Sequence, residues 1–174
     1  VDIAEFLTVQ LDADELWARE ASRRGDNPVP DGGVHWQWVT DDDEVVELDT
    51  NTMEYVDEGY RISLRSREEF PTSYGRTLPQ FAISAAEEVQ IAVGGHIVRH
   101  SPARVLADIA AKRRIVEEYH AARENWRHGA GTMGTTEEIA RATERRDVLE
   151  FAVRLLAAPY ADRPGYNDAW RING

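Results

Sequence analysis

YRISLRS, residues 60–66, is the stretch on which the fold turns. Tyr60, Ile62 and Leu64 point one way; Arg61, Ser63 and Arg65 point the other. That alternation is the period of a strand with one wet face. VHWQWV (34–39) repeats it, with Val34, Trp36 and Trp38 on one face, and EVVEL (44–48) and QFAIS (80–84) are shorter candidates. No helix of crossover length separates these segments, so the sheet is expected to be antiparallel. Residues 41–43 suit a turn, 51–59 a short helix, and FPTSYGRTLPQ (70–80) a long irregular loop.

Outward from the sheet the period lengthens. Ile3, Phe6, Leu7, Leu11 and Trp17 recur at helical spacing, with Asp2 and Glu5 as an acidic capping box, which predicts a helix over 3–22. Gly25 stops it, and DNPVPDGG (26–33) is a loop. Beyond the sheet, Ser84 and Glu87 suit a capping box for a helix of about 85–99. Ser101 and Pro102 open a second helix, to about Trp126, with Val105, Leu106, Ile109, Val116 and Tyr119 on its apolar arc. HGAGTMGTT (128–136) is a break, after which Thr135 or Thr136 caps a third helix ending near Ala157. The reading is α+β, one domain over 1–174. It comprises the N-terminal helix, a small antiparallel sheet of three to four strands in 34–84, three longer helices in 85–157 and an aromatic tail, 158–174. Ile62 and Leu64 are expected to be buried against the 102–126 helix. In the tail, Tyr160, Tyr166 and Trp170 are expected to anchor on helices of their own chain.

The composition narrows the class of protein. Hydrophobic residues are 42% of the 174, enough for a core, and no apolar run approaches the ~20 residues of a membrane span. The acidic, amphipathic start, VDIAEFLTVQLDADE, lacks the basic-then-apolar order of a signal peptide, so a cytoplasmic location without membrane contact is expected. The absence of cysteine excludes disulfides, thiolate metal sites and a cysteine nucleophile. Of 20 basic residues only Lys112 is lysine, a bias that points to a GC-rich genome. The net charge of −12 is carried by residues 1–99 and peaks in 41–58, where nine carboxylates meet no basic residue. Such acidity disfavours nucleic acid as a partner.

The candidate binding residues are His96, Arg99, His100, Arg104, Lys112 and Arg113. His96, His100, Arg104 and Asp108 follow at four-residue steps, but Pro102 implies a helix break within the series. The two histidines lack an HExxH motif, so no metal site is assigned. Lys112, Arg113 and Arg114 interrupt an apolar helix, and the simplest role for them is a solvated rim paired to Glu117 and Glu118. GAGTMG follows a helix and lacks the closing Gly-Lys-Ser/Thr of a phosphate loop. His35, Asp41 and Ser63 have no nucleophile elbow, and 41–44 lacks the spacing of a calcium loop.

HIVRHSPARVLADIAAKRRIVEEY and RLLAAPYADRPGYNDAW together resemble an uncharacterised family of actinobacterial and actinophage proteins. Its members share a His-x-x-Arg-His-x-Pro-x-Arg-Val-Leu start and a Pro-Tyr-Ala-Asp-x-Pro-x-Tyr close. WQWV, ISLRSREEFPT and LPQFAI extend the resemblance over nearly the whole chain. It implies cysteines between the last two helices, where this chain has none, and a histidine where Arg163 stands, so no metal role carries over. It implies no activity and no cofactor. The expectation is a non-catalytic accessory protein that binds a protein partner. The alternatives are an enzyme acting on a small anionic substrate through His100 and Arg104, or an acidic DNA mimic built on the 41–58 carboxylates.

Overall fold

A computed structural model describes residues 1–22, 33–48, 61–72, 74–87, 89–131 and 135–172. In chain order the elements are α1 (Ile3–Ala21), β1 (Trp36–Thr40), β2 (Ile62–Pro71), β3 (Thr77–Ala86), α2 (Ile91–Arg99), α3 (Pro102–Gly131) and α4 (Thr136–Ala157). Single 3-10 turns follow at Ala158–Tyr160 and Asp168–Trp170. The class is α+β, and the sheet is antiparallel in the order β1-β2-β3. The chain divides into two compact units, one of 1–14 with 108–174 and one of 15–107. Among the described residues no helix is long and apolar enough to cross a membrane.

The first unit is helical. Asp2 and Glu5 form the expected reciprocal cap: the Asp2 N–H donates to Glu5 Oε2 at 3.0 Å, and the Ala4 N–H to Asp2 Oδ1 at 2.8 Å. Ile3, Phe6 and Leu7 of α1 pack with Val116 and Tyr119 of α3 and Val153 and Ala157 of α4. The tail closes on the same core. Phe6 lies 5.8 Å from the Tyr166 ring and 5.3 Å from Trp170, which stand edge-on to one another at 5.6 Å. Gly165 makes this return possible with φ +91°, a conformation side chains rarely adopt. The Tyr160 hydroxyl donates to Asp14 Oδ2 at 2.6 Å; burial and that acceptor both push its ionisation upward.

The second unit holds the sheet. Ile62 and Leu64 are buried with Trp38, and around them pack Val46, Leu48, Val89, Ile97 and Val98. Burying such aliphatic side chains stabilises by about 1.5–3 kcal/mol each. Among the described residues the helical side chains packed on them are Ile97 and Val98 of α2, and none comes from the expected 102–126 helix.

Several boundaries move, each for a physical reason. The 70–80 loop shrinks to a turn, since β2 and β3 pair as far as Pro71 and Thr77, and the Thr72 hydroxyl donates to the Arg76 carbonyl at 2.8 Å. Ser84 belongs to β3, whose Ala86 pairs with Ile62, so the 85–99 helix starts only at Ile91. The 44–48 segment contributes one bridge, Val39 to Val45, not a strand. α3 continues through His128 to Gly131, and Thr135 then caps α4 in a capping box with Glu138. Trp17 shares the apolar arc of α1 yet is 75% exposed; periodicity fixes a face but not how much of it is covered. The short helix expected at 51–59 and most of the 26–33 loop lie outside the described residues.

Three outcomes are expected for the first unit. Phe6→Ala removes the ring on which the tail rests and costs about 3–5 kcal/mol, read as a fall in the urea midpoint. Deleting 159–174 lowers the thermal midpoint for the same reason. For Asp2, burial works to raise the carboxyl's pKa, but the Arg123 guanidinium and the Ala4 N–H outweigh it and hold it below its ordinary value. A depressed folded pKa gives stability that is present above about pH 4, the unfolded value, and is lost as pH falls through the folded one. Asp2→Asn should flatten that acid limb in urea titrations run from about pH 3 to about pH 7.

Candidate functional site

The site begins with two glycines. IAVGGHIVR (91–99) would be a poor helix by propensity, since Gly94 and Gly95 each cost roughly 1 kcal/mol relative to alanine. Gly94 repays that by contact. It is buried, and a Cβ there would lie 3.0 Å from Leu48 Cδ1 and 3.1 Å from both Trp38 Nε1 and Val89 Cγ1. The Trp38 indole N–H donates to its carbonyl at 3.1 Å. Gly95 meets nothing within 4 Å and faces open space. α2 closes on His100, whose N–H donates to His96 O at 3.0 Å and Ile97 O at 3.2 Å. The chain then restarts as α3 at Pro102, the break that proline implies.

Between α2, β1, the 45–48 segment and Arg67 of β2 lies a cleft of about 610 Å³. Trp38, Val46, Leu48 and Val98 give it an apolar lining; Gln37 and Glu47 are polar, and Arg67, His96, Arg99 and His100 are cationic or able to become so. The two imidazoles lie side by side, 4.3 Å between centroids at 42°. Arg61 pairs with Glu87 and Arg65 with Asp43. Among the described residues, the guanidinium groups of Arg67 and Arg99 have no such partner. The side chains of Arg67, His96, Arg99 and His100 are exposed, so a ligand in the cleft reaches them.

The structure thus brings His96, Arg99 and His100 to one cleft, and the other candidates are not among its described lining residues. Arg104 stands in the first turn of α3 and is not among the cleft-lining residues. Lys112 and Arg113 belong to the other unit and are neutralised there, Lys112 by Asp108 and Arg113 by Asp12, each at 2.6 Å. They are indeed paired as a helix rim, but not to Glu117 and Glu118; Glu118 instead accepts from Arg145. Sequence reasoning missed Arg67, Trp38's part in the lining and the role of Gly94. The row Arg61, Ser63, Arg65 carries on to Arg67, a signal available once β2 is known to run past Ser66.

Elsewhere the imagined combinations dissolve. His35 pairs with Glu68 through its ring, and Ser63 Oγ accepts from the Ala85 N–H at 3.1 Å, so His35, Asp41 and Ser63 form no relay. Burial works to raise the Glu68 carboxyl, yet the His35 bond and backbone N–H groups hold it below its ordinary value. Among the described residues no three histidine, aspartate or glutamate side chains are grouped to hold a metal ion. Of the 41–58 carboxylates, Asp43 is committed to Arg65, and 49–58 lie outside the described residues.

A sequence model of a family of unknown function, DUF6221, matches residues 1–172. No curated protein and no solved structure matches the chain.

The two glycines give a matched pair of variants. Gly94→Val should unseat α2 from Trp38 and lower the thermal midpoint, because its side chain would press on the side chains of Leu48, Trp38 and Val89, already 3.0–3.1 Å from a Cβ. Gly95→Ala should leave the midpoint unchanged or raise it, by up to about 1 kcal/mol of helix propensity. Equal destabilisation by both would refute the close approach at Gly94.

Proposed function

The chain belongs to DUF6221, and from that premise we propose that it is a non-catalytic accessory protein whose cleft binds an anionic ligand. The family brings no activity, so the reading is argued from the site. The observation that carries it is the placement of Arg67 and Arg99 on one cleft without a carboxylate partner among the described residues, beside His96 and His100. In a chain of net charge −12, most described arginines are matched to acids, and of those that are not, Arg67 and Arg99 share this cleft. Among the described residues, no hydroxyl, thiol or amine side chain lines the cleft. A concave, mainly apolar surface with a few convergent polar groups is the usual form of a ligand site. The bias of nineteen arginines to one lysine supports an actinobacterial or phage origin.

A second reading keeps the same cleft but gives the anionic group to a protein partner. It is favoured by the exposure of His96, Arg99 and His100, which a chain terminus or acidic side chain could reach.

The test is titration of the full chain with a panel of aromatic carboxylates and phosphates. Arg67→Ala and Arg99→Ala should each weaken binding by about 1.5–3 kcal/mol, roughly 10- to 100-fold. Lys112→Ala and Arg113→Ala should leave it unchanged. A peptide ending in a free carboxylate that binds more tightly than any small acid would assign the anion to a partner chain. Equal losses at Lys112 and Arg67 would sink the assignment of the cleft.

A further inference from the structure

α4 buries one face and leaves an apolar ridge on the other. Val153 and Ala157 lie in the core of the helical unit. Val148, Phe151 and Leu155 follow at the i, i+3, i+7 spacing of a single helix face, and they are 63%, 53% and 51% exposed. Recesses run along both flanks of this ridge. Asp147, Glu150, Phe151 and Arg154 line one of about 260 Å³. Arg145, Val148 and Leu149 are among the residues lining another of about 430 Å³. A ridge between two grooves is the surface form that packs against a second helix.

We propose that this ridge pairs with the same ridge of a second copy of the chain, antiparallel across a two-fold axis beside Phe151. The charges select that occupant. Asp147 stands four residues before Phe151 and Arg154 three after it; seven residues apart, they share one flank of the ridge. Antiparallel pairing brings like flanks of two helices together, so Asp147 of each copy meets Arg154 of the other. The apolar residues fit the same register: Val148 meets Leu155 of the second copy, and the two Phe151 rings meet at the axis. Parallel pairing would set Asp147 against Asp147 and Arg154 against Arg154. The order acid, ring, base is therefore self-complementary only when reversed, as a two-fold interface requires. The local partners of these charges do not prevent it. Asp147 accepts from the adjacent Arg146 Nε at 2.9 Å, but Arg146 is also held by the Trp126 ring, 4.2 Å from its guanidinium. Arg154 donates to Glu150 at 2.6 Å and has further donors for a second carboxylate. Exposed pairs of this kind contribute little, so exchanging them costs little. Three large apolar side chains per copy make a small interface, and the dimer belongs to the weak, transient class.

The experiment is sedimentation equilibrium of the full chain from about 10 μM to about 1 mM, the range of a weak dimer. About 0.15 M salt confines the mutual repulsion of two chains of net charge −12 to roughly 8 Å. The mass should rise from monomer towards dimer across the range. Phe151→Glu should weaken association by at least about a hundredfold, with an unchanged thermal midpoint because the ring is exposed. Asp147→Arg should weaken it by about tenfold. Adding Arg154→Asp should restore it at the original net charge, since the exchanged charges again face each other. The chain has no cysteine, so single variants report the register. Val148→Cys mixed with Leu155→Cys should form the mixed disulfide in preference to either homodimer, because a bridge needs Cα atoms within about 7 Å. A monomer throughout the range overturns the inference. A dimer that Phe151→Glu leaves intact, or that the double charge exchange fails to restore, overturns it too and places self-association on another face or in another register.

Discussion

Gly94 lets α2 approach β1 closely enough for the Trp38 indole to donate to its carbonyl, and the second unit's chemistry depends on that contact. Trp38 is 2% exposed, and a buried indole N–H without an acceptor would cost about 1–3 kcal/mol. The acceptor exists because no Cβ holds the helix away. With α2 seated there, Ile97 and Val98 pack over Ile62 and Leu64, and the helix's last turn carries His96, Arg99 and His100 to the edge of the cleft. The glycine that weakens the helix is the one that fixes its position.

The charge pattern follows a similar economy. A net charge of −12 repels other acidic surfaces. Exposed ion pairs contribute little to stability, with a median of about 0–1 kcal/mol. The many arginine–carboxylate pairs on α3 and α4 are therefore better regarded as neutralisation than as a stabilising scaffold. Against that background two unmatched guanidinium groups on one apolar-lined cleft are informative. Their attraction for an anion is strengthened by low-dielectric walls, and among the described residues Glu47 is the carboxylate that lines the cleft beside them.

Much of the architecture was legible in the sequence. YRISLRS, the Asp2–Glu5 cap, the Thr135 cap and the break at Pro102 each rest on local chemistry, and local chemistry survives into the structure. The tail's aromatic packing was legible too, because Pro159 and Gly165 leave few other paths. What stayed hidden depends on contacts distant in sequence. Nothing local distinguishes Gly94, which is pressed against Trp38, from Gly95, which touches nothing. Nothing local shows that Lys112 and Arg113 answer to Asp108 and Asp12, or that Arg67 joins His96. The six candidate cations divided for that reason: His96, Arg99 and His100 share one helix end, whereas the rest were linked to them only by charge.

Hydrogen exchange of the tryptophan indole N–H groups tests the seating of α2 most directly. Trp17, 75% exposed, is the internal reference for an unprotected indole. The Trp38 indole should exchange far more slowly than that of Trp17, at a rate set by opening of the second unit. Exchange of Trp38 as fast as that of Trp17 would mean that α2 is not held on the sheet, and the cleft described here would not exist in solution.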